Sequence, residues 1–271
     1  FTGASTGSYP LGSLITDGNY LYGMTFQGGS NSNGAVFKIK VSDNTFTKFL
    51  DFTGTANGNY PKGSLISDGT FLYGMTTGGG SGGKGTAFKI KISDNSYTKI
   101  LDFTGSANGS EPYGSFITDG TFLYGMARNG GTNNLGVAFK IKLSDNTFTK
   151  LLDFTGTADG SEPYGSLISD GTYLYGMTAY GGANNFGTAF KINLSDNAFT
   201  KILDFTGDAI GGNPYGSLIS VGTYLYGMTN KGGSYTLGTA FKINISDNSY
   251  TKVLDFAGGT GGRYPTGSLI S

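Results

Sequence analysis

Carboxylates are the side chains of this sequence that could do chemistry, because it contains no histidine and no cysteine. Acidic side chains act as general acids, as general bases or as ligands for hard cations. Fourteen of the 18 acidic residues fall into three groups, each with its own repeated local sequence. The groups lie in D-G turns (Asp17, Asp68, Asp119 and Asp170), in S-D-N turns (Asp43, Asp94, Asp145, Asp196 and Asp247) and in the motif L-D-F (Asp51, Asp102, Asp153, Asp204 and Asp255).

Repetition of the same surroundings argues against catalysis by these residues. A catalytic pair of carboxylates needs two different environments, since the environment decides which one holds the proton. Aspartate in a turn accepts hydrogen bonds from nearby backbone amides, which is a sufficient reason for its recurrence. We therefore predict turn and capping roles for the three groups, and a chain that is not an enzyme.

Calcium binding is the alternative for the same residues, because Asp and Asn oxygens are hard ligands. The sequence has no D-x-D-x-D-G spacing, which is the pattern that typically holds calcium. Val221 also replaces the aspartate of the fifth D-G turn, so the fold does not require a carboxylate there. We expect no metal site and no cofactor.

A tandem repeat of 51 residues positions these side chains. Successive L-D-F aspartates lie 51 positions apart, and no insertion or deletion separates the copies. All five methionines occupy one position of the motif L-Y-G-M, and all six prolines occupy another position of the repeat. The copies cover residues 1–51, 52–102, 103–153, 154–204 and 205–255, and residues 256–271 begin a sixth.

Each copy is predicted to form four short β-strands. In the second copy they fall at residues 63–67, 70–76, 86–92 and 97–103. Residues 86–92 alternate between apolar and polar side chains, and no segment of the chain shows a helical period. The glycine of L-Y-G-M is expected to allow two backbones to approach closely. Four antiparallel strands repeated at about 50 residues are typical of a β-propeller blade. The sequence therefore predicts an all-β fold, a single five-bladed β-propeller domain over residues 1–271.

One first strand is surplus to a closed ring of five blades. Residues 10–16 and residues 265–271 have equivalent patterns and compete for one position. The displaced segment would carry Leu and Ile in a run that can form a strand, and such a segment pairs readily with another chain. This favours a homo-oligomer or a filament formed by strand exchange.

The motif L-Y-G-M-T-x-x-G-G followed by G-T-A-F-K-I, at Leu72 to Ile90 and again at Leu174 to Ile192, resembles the GloVer repeat. GloVer repeats occur in tandem in bacterial secreted and surface proteins. The resemblance covers every copy, and it implies a bacterial protein that is extracellular or attached to the cell surface. It supports the propeller but implies no particular activity.

Charge and hydropathy exclude two classes of partner. The 18 basic and 18 acidic residues give a net charge of zero, which removes the basic surface expected of a nucleic-acid-binding protein. No apolar run approaches the roughly 18 residues that a membrane span requires. We predict no nucleic-acid binding and no membrane insertion.

Differences between the copies concentrate in two loops, one after the second strand and one before the first strand. In an up-and-down blade both loops emerge on the same side, where recognition usually resides. The candidate ligand-binding residues in these loops are Tyr113, Tyr164, Tyr215, Tyr180, Phe186, Tyr235, Arg128 and Lys231. They favour a non-enzymatic extracellular binding or adhesion module with five similar sites for a repetitive ligand such as a surface glycan. The alternatives are a structural building block that assembles through its surplus strand, a hydrolase with a single unique site, and loops that vary because nothing constrains them.

Overall fold

Five four-stranded antiparallel β-sheets make up the computed structural model, which describes residues 1–270. In every sheet the strands follow chain order. Within residues 1–270 the only helical segment is a single 3-10 turn at Gly259–Gly261. The first two sheets contain β1 (Ile15–Thr16), β2 (Tyr20–Thr25), β3 (Ala35–Lys40) and β4 (Phe46–Asp51), then β5 (Ile66–Ser67), β6 (Phe71–Thr76), β7 (Thr86–Lys91) and β8 (Tyr97–Asp102). The other three contain β9 (Ile117–Thr118), β10 (Phe122–Ala127), β11 (Val137–Lys142) and β12 (Phe148–Asp153), then β13 (Ile168–Ser169), β14 (Tyr173–Thr178), β15 (Thr188–Asn193) and β16 (Phe199–Asp204), and finally β17 (Ile219–Val221), β18 (Tyr224–Thr229), β19 (Thr239–Asn244) and β20 (Tyr250–Asp255).

The predicted all-β class and the four strands per copy are confirmed, but the first strand is shorter than predicted. Only Ile66–Ser67 pair with β6, whereas the pattern predicted a strand over residues 63–67. Residues 63 and 64 instead lie against the equivalent segment of the next copy. The amide of Ser64 donates to Oγ of Ser115 at 2.7 Å, and a Cβ on Gly63 would meet the carbonyl of Gly114. The segment therefore joins two copies as well as belonging to its own sheet.

The chain divides into two compact units. Unit 1 comprises Phe1–Gly125 and Lys140–Thr149, and unit 2 comprises Met126–Phe139 and the residues from Lys150 onward. A single domain over residues 1–271 stays a prediction.

Each unit contains a core layer formed by two successive sheets and built from the same repeat positions. In unit 1 the layer consists of Tyr22, Met24, Val36, Phe52, Leu65, Leu72, Phe88 and Ile90. In unit 2 it consists of Tyr175, Met177, Ala189, Phe205, Leu218, Leu225, Phe241 and Ile243. The alternation of side chains along β2 and β6 sends Tyr22 and Met24 into this layer from one sheet and Leu72 from the next. The sheets thus pack face to face through one recurring set of apolar side chains.

The glycine of L-Y-G-M does not bring two backbones together as predicted. A Cβ on Gly74 would meet Cζ of the Phe88 ring at 2.6 Å and Cδ2 of Leu65 at 3.0 Å. Gly176 has the same relation to Phe190 and Leu167. The missing side chain makes room for the phenylalanine ring opposite it in the neighbouring strand, because residues paired across two strands share one face.

Turn aspartates hold both tight connections of the second copy. Oδ1 of Asp68 accepts the amides of Thr70 at 2.8 Å and Phe71 at 2.7 Å, while Oδ2 accepts the hydroxyl of Tyr73 at 2.7 Å. Burial raises the pKa of Asp68, but the hydrogen bonds from Phe71, Tyr73 and Thr70 outweigh it and hold the pKa below 3.8. In the S-D-N turn, Oδ1 of Asp94 accepts the amide of Ser96 at 2.9 Å, and Oδ2 lies 3.7 Å from Nζ of Lys91. The predicted turn role is therefore present in both groups.

Replacing Asp68 with alanine is expected to lower the free energy of unfolding by about 1–2 kcal/mol at pH 7, through the loss of three hydrogen bonds to one carboxylate. A carboxyl whose pKa is lowered on folding stabilises the protein above its unfolded pKa and loses that effect as the pH falls. The difference between the variant and the parent should consequently shrink below pH ~4. Urea titrations at both pH values measure it. Asp94→Ala is the control with a smaller expected loss, and an equal loss in both variants would contradict the role of Tyr73.

Candidate functional site

The two variable loops of each copy lie side by side. We call residues 26–33, 77–84, 128–135, 179–186 and 230–237 the 2–3 loops, and residues 6–11, 57–62, 108–113, 159–164, 210–215 and 261–266 the 4–1 loops. Backbone bridges connect the two kinds of loop within a copy, at Asn59 with Gly78, at Ser161 with Tyr180 and at Gly212 with Lys231. The prediction that both loops emerge together is confirmed for these copies.

The aspartate of L-D-F anchors the 2–3 loop. Oδ1 of Asp51 accepts the amide of Ser30 at 3.0 Å, and Oδ2 accepts its hydroxyl at 2.7 Å. The ammonium of Lys48 lies 2.9 Å from the same carboxylate. Burial raises the pKa of Asp51, but hydrogen bonds from Lys48 and Ser30 prevail and lower it. The base of the loop is thus fixed by a paired carboxylate, and variation is confined to the tip.

The residue before each proline has an unusual backbone conformation. Its φ lies between 51° and 58° in all six copies, and none of the six residues is glycine: Tyr9, Tyr60, Glu111, Glu162, Asn213 and Tyr264. In the five copies that follow another copy, the amide of this residue donates to a carbonyl of the preceding copy's 2–3 loop, for example from Glu162 to Leu135 at 2.8 Å and from Asn213 to Phe186 at 2.7 Å. Neighbouring backbone therefore holds the conformation, and the side chain is free to differ from copy to copy.

Five loop side chains of unit 2 form one connected group, which we call the tyrosine cluster: Arg128, Glu162, Tyr164, Tyr180 and Tyr215. The rings of Tyr164 and Tyr215 meet edge to face, with centroids 5.0 Å apart. The hydroxyls of Tyr180 and Tyr215 are hydrogen-bonded at 2.8 Å. Arg128 lies over the ring of Tyr164, with 4.9 Å between Cζ and the ring centroid. Three of the predicted tyrosines and the predicted arginine are thus brought together.

Glu162 neutralises the positive charge of the tyrosine cluster. Nε and Nη2 of Arg128 donate to Oε2 of Glu162 at 3.0 Å and 2.9 Å. Both side chains keep about a quarter of their surface exposed, at 25% and 27%. Burial and the hydrogen bond with Tyr180 raise the pKa of Tyr215 to about 12, so its hydroxyl stays protonated at neutral pH. The cluster is therefore neutral, half-buried and rich in hydroxyl groups.

Asn213 adds an unpaired acceptor to the same segment of unit 2. It precedes Pro214 and Tyr215, and its side chain is 2% exposed. Nδ2 donates to the carbonyl of Ala179 at 2.8 Å, while Oδ1 has no hydrogen-bond partner within residues 1–270. A buried acceptor without a donor in the protein carries a cost in free energy.

Unit 1 carries a group of different chemistry at the corresponding repeat positions. Nζ of Lys62 lies 3.7 Å from the ring centroid of Tyr113 and 5.2 Å from that of Phe26. The ring of Phe26 lies 5.2 Å from that of Tyr60. The five similar sites expected from the repeat are therefore not present, since a lysine between aromatic rings differs from a neutral tyrosine cluster.

The remaining predicted residues lie apart from these groups. The ring of Phe186 packs on Gly207 and Gly212, where an added Cβ would meet it at 2.5 Å and 2.9 Å, and it borders the core layer of unit 2. Tyr235 is 58% exposed at the tip of its loop. Lys231 is exposed, and its backbone pairs with Gly212. Phe186 thus supports the loop that follows it, and the other two side chains stand on the surface of the fifth copy.

Sequence reasoning missed Glu162, Lys62, Phe26, Tyr60 and Asn213. Lys62 occupies the same repeat position as the predicted Tyr113, so a lysine at a position otherwise held by tyrosine was visible in the sequence. The other four also lie at positions that vary among the copies. A comparison of entire columns, rather than of aromatic residues alone, would have found all five.

Within residues 1–270 there is neither a metal-binding cluster of acidic side chains nor a helix that could span a membrane. No three or more Asp or Glu side chains are grouped so as to hold a metal ion in that part of the chain. None of its helical segments has the length and apolarity needed to cross a membrane.

The repeat itself identifies the family. The model of the Gloeobacter/Verrucomicrobia repeat matches residues 1–178 and 157–271. The chain belongs to this family. The resemblance to the GloVer repeat, found first in Leu72 to Ile90, is thereby confirmed. No curated protein sequence matches the chain.

Solved structures establish the fold of this Gloeobacter/Verrucomicrobia repeat protein. It is similar to a chain of the nidogen/laminin complex (14% identity, 94% of this chain and 82% of that one, TM-score 0.59) and to TolB from Acinetobacter baumannii (13% identity, 88% and 53%, TM-score 0.53). It also resembles the extracellular domain of a hybrid two-component system from B. thetaiotaomicron (12% identity, 95% and 30%, TM-score 0.63). The chain thus spans about half of TolB and less than a third of the last protein. These likenesses and the five sheets confirm the prediction of a five-bladed β-propeller.

Proposed function

We propose that the protein is a non-enzymatic binding module that holds a neutral glycan at the tyrosine cluster. The observation that carries this proposal is the joining of Tyr164, Tyr180 and Tyr215 by ring and hydroxyl contacts on adjacent variable loops. Aromatic rings with polar edges suit sugars, which present apolar C–H faces and rims of hydroxyl groups. The partly exposed carboxylate of Glu162 and guanidinium of Arg128 supply further acceptors and donors.

Charge selects among glycans at this cluster. Arg128 and Glu162 compensate each other at 2.9 Å, so an acidic sugar gains no net attraction there. A neutral polyhydroxylated chain can instead use the hydroxyl groups of Tyr180 and Tyr215.

We also propose that the protein is bacterial and is either extracellular or attached to the cell surface. This location is supported by the family's name and by the likeness to an extracellular domain from B. thetaiotaomicron. In the nidogen/laminin complex a chain of similar fold is bound to a protein partner. This likeness supports a proposed role in adhesion. Adhesion through a surface glycan is the form of that role that the tyrosine cluster supports.

Glycan binding is tested on the purified chain with an array of neutral and acidic glycans, followed by calorimetry on the strongest neutral ligand. Tyr215→Ala is expected to weaken binding about 30-fold, because a central aromatic contact contributes about 2 kcal/mol. Tyr215→Phe keeps the ring but breaks the hydroxyl pair with Tyr180, so it should give a smaller loss.

The matched control is Tyr235→Ala, which removes an exposed tyrosine from another loop and should leave affinity unchanged. Thermal melts of all three variants show whether a loss of binding reflects unfolding. The absence of binding to any glycan on the array would reject the proposal. Equal losses in Tyr215→Ala and Tyr235→Ala at unchanged stability would move the site away from the tyrosine cluster.

A further inference from the structure

A groove of unit 1 lies at the ends of the strands that carry the D-G and S-D-N turns. Its volume is about 520 Å³, within the roughly 300–1,000 Å³ of small-molecule sites. Phe71 and Lys89 line it from the second copy, and Thr121, Lys142 and Ser144 line it from the third. The 2–3 loops begin at the opposite ends of the same strands, so this groove is separate from the aromatic group in the loops of unit 1.

The ammonium of Lys89 carries an uncompensated charge in this groove. It lies 4.9 Å from the ring centroid of Phe71, and it forms no ion pair with any carboxylate of residues 1–270. A contact with a ring is worth about 0.5–1 kcal/mol at an exposed site and leaves the positive charge in place. The half-buried side chain of Lys89 is thus held on the ring, while its charge remains available to a ligand.

Lys142 brings a second ammonium to the same groove. Its Nζ lies 3.6 Å from Oδ2 of Asp145, and the two side chains are 46% and 48% exposed. An ion pair this exposed contributes little, so a ligand can compete for the lysine. The carboxylate of Asp68 also lines the groove, but both of its oxygens already accept hydrogen bonds from the protein. The groove therefore offers two positive charges to a ligand, beside a carboxylate that is already occupied.

We propose that this groove binds an acidic saccharide, whose acid group is held by Lys89 and Lys142. Ammonium groups form short, charge-assisted hydrogen bonds with carboxylate, sulfate or phosphate oxygens. The hydroxyls of Thr121 and Ser144 suit the hydroxyl groups of a sugar, and the Phe71 ring suits its C–H edges. A free inorganic anion would use the two lysines but none of these other groups. Binding here is independent of the tyrosine cluster, which belongs to unit 2 and favours uncharged sugars.

The same residue types recur one copy earlier in unit 1. Nζ of Lys38 lies 5.0 Å from the ring centroid of Tyr20, and Lys91 occupies the repeat position of Lys142. Lys91 also has the same exposed partner, with its Nζ 3.7 Å from Oδ2 of Asp94. A saccharide chain with repeated acid groups therefore has two equivalent sites in unit 1, and simultaneous binding at both strengthens its hold.

Unit 2 carries a natural replacement of the second lysine. Nζ of Lys191 lies 4.8 Å from the ring centroid of Tyr173, but Asn244 occupies the repeat position of Lys142. Oδ1 of Asn244 accepts the amide of Ser246 at 3.0 Å and its hydroxyl at 2.9 Å. Asparagine thus holds the turn without a charge, so unit 2 is expected to bind the acid group more weakly than unit 1.

Calorimetry on the 271-residue chain with oligomers of galacturonic acid tests the proposal, and oligomers of galactose provide the uncharged comparison. Sulfated and phosphorylated galactose oligomers show which acid group is preferred. The acidic oligomers are expected to bind, and added salt should weaken their binding because it screens charges. Tyr215→Ala should leave their affinity unchanged, which separates this groove from the tyrosine cluster.

The decisive variant combines Lys40→Asn, Lys91→Asn and Lys142→Asn, so that all five copies carry the asparagine found at positions 193 and 244. Its affinity for the acidic oligomers should fall about 10-fold or more, since each groove loses a charge-assisted hydrogen bond. The matched variant carries arginine at the same three positions, keeps the charge and should bind like the parent. Thermal melts show whether each variant is folded. Unchanged affinity in the folded asparagine variant would overturn the proposal.

Acetylation of the lysines in the parent chain, followed by mass spectrometry, locates the ligand without any substitution. Bound acidic oligomer should slow the acetylation of Lys89 and Lys142 and leave that of the exposed Lys231 unchanged. An unchanged rate at Lys89 under saturating oligomer would contradict the proposed site. So would the absence of binding to every acidic oligomer.

Discussion

Phe52→Ala is expected to lower the free energy of unfolding by about 3–5 kcal/mol, the usual cost of truncating a buried phenylalanine. Phe52 is 0% exposed, and its ring meets that of Phe88 edge to face at 5.5 Å in the core layer of unit 1. Neighbouring strands hold the walls of the resulting cavity apart, so the site cannot collapse to fill it. Chemical denaturation followed by circular dichroism measures the change.

The equivalent residue of the first copy provides a control for Phe52→Ala. Phe1 occupies the position of Phe52 one copy earlier and packs edge to face on Phe37 at 5.3 Å, yet it is 60% exposed. Phe1→Ala should therefore cost less than Phe52→Ala, because removal of a ring that is 60% exposed leaves no closed cavity. Equal costs in the two variants would show that Phe1 is covered in solution.

Gly63→Ala is expected to destabilise the chain by about 1–3 kcal/mol, because overpacking forces the backbone to move. The new methyl group would meet the backbone of Gly114, including its carbonyl carbon at 2.8 Å, and backbone cannot turn away as a side chain can. The effect is steric and requires no special dihedral angle at Gly63. Thermal and urea unfolding both report it.

Gly267→Ala is the matched control, since Gly267 has the same repeat position and an added Cβ would meet nothing within 4 Å. Its stability should be unchanged, or increased by up to about 1 kcal/mol through the reduced freedom of the unfolded chain. If both variants are destabilised equally, the contact between successive first-strand segments is not what requires glycine.

Local features of this fold were predictable because their causes lie within a few residues. Asp68 accepts hydrogen bonds from the amides two and three positions further along the chain, so the local D-G sequence is enough to predict the turn. The gapless 51-residue period likewise revealed the number of strands and sheets. Contacts between copies were not predictable in the same way. Glycine recurs at two positions of the repeat, those of Gly74 and Gly63. The sequence alone does not show that Gly74 faces a phenylalanine ring whereas Gly63 faces backbone.

Four residues of the tyrosine cluster were predictable from the sequence, but the contacts between them were not. Variable loops pointed to Tyr164, Tyr180, Tyr215 and Arg128, which do meet. The partner of Arg128 was missed, because Glu162 lies 34 positions away and belongs to the next copy. Phe186, in turn, has the same aromatic character as a ligand contact but packs on two glycines. Aromatic type alone does not distinguish a ring that supports a loop from one that faces solvent.

The left-handed backbone before each proline has a consequence for stability. A side chain in that conformation costs about 1 kcal/mol relative to glycine, and a domain as a whole is stable by only about 5–15 kcal/mol. Glycine would avoid this cost at these six positions, where Tyr, Glu and Asn are found instead. The side chain there nevertheless differs among the copies, from the exposed Tyr9 to the buried Asn213. A replacement by glycine at one of these positions therefore exchanges the local side chain for a less strained backbone.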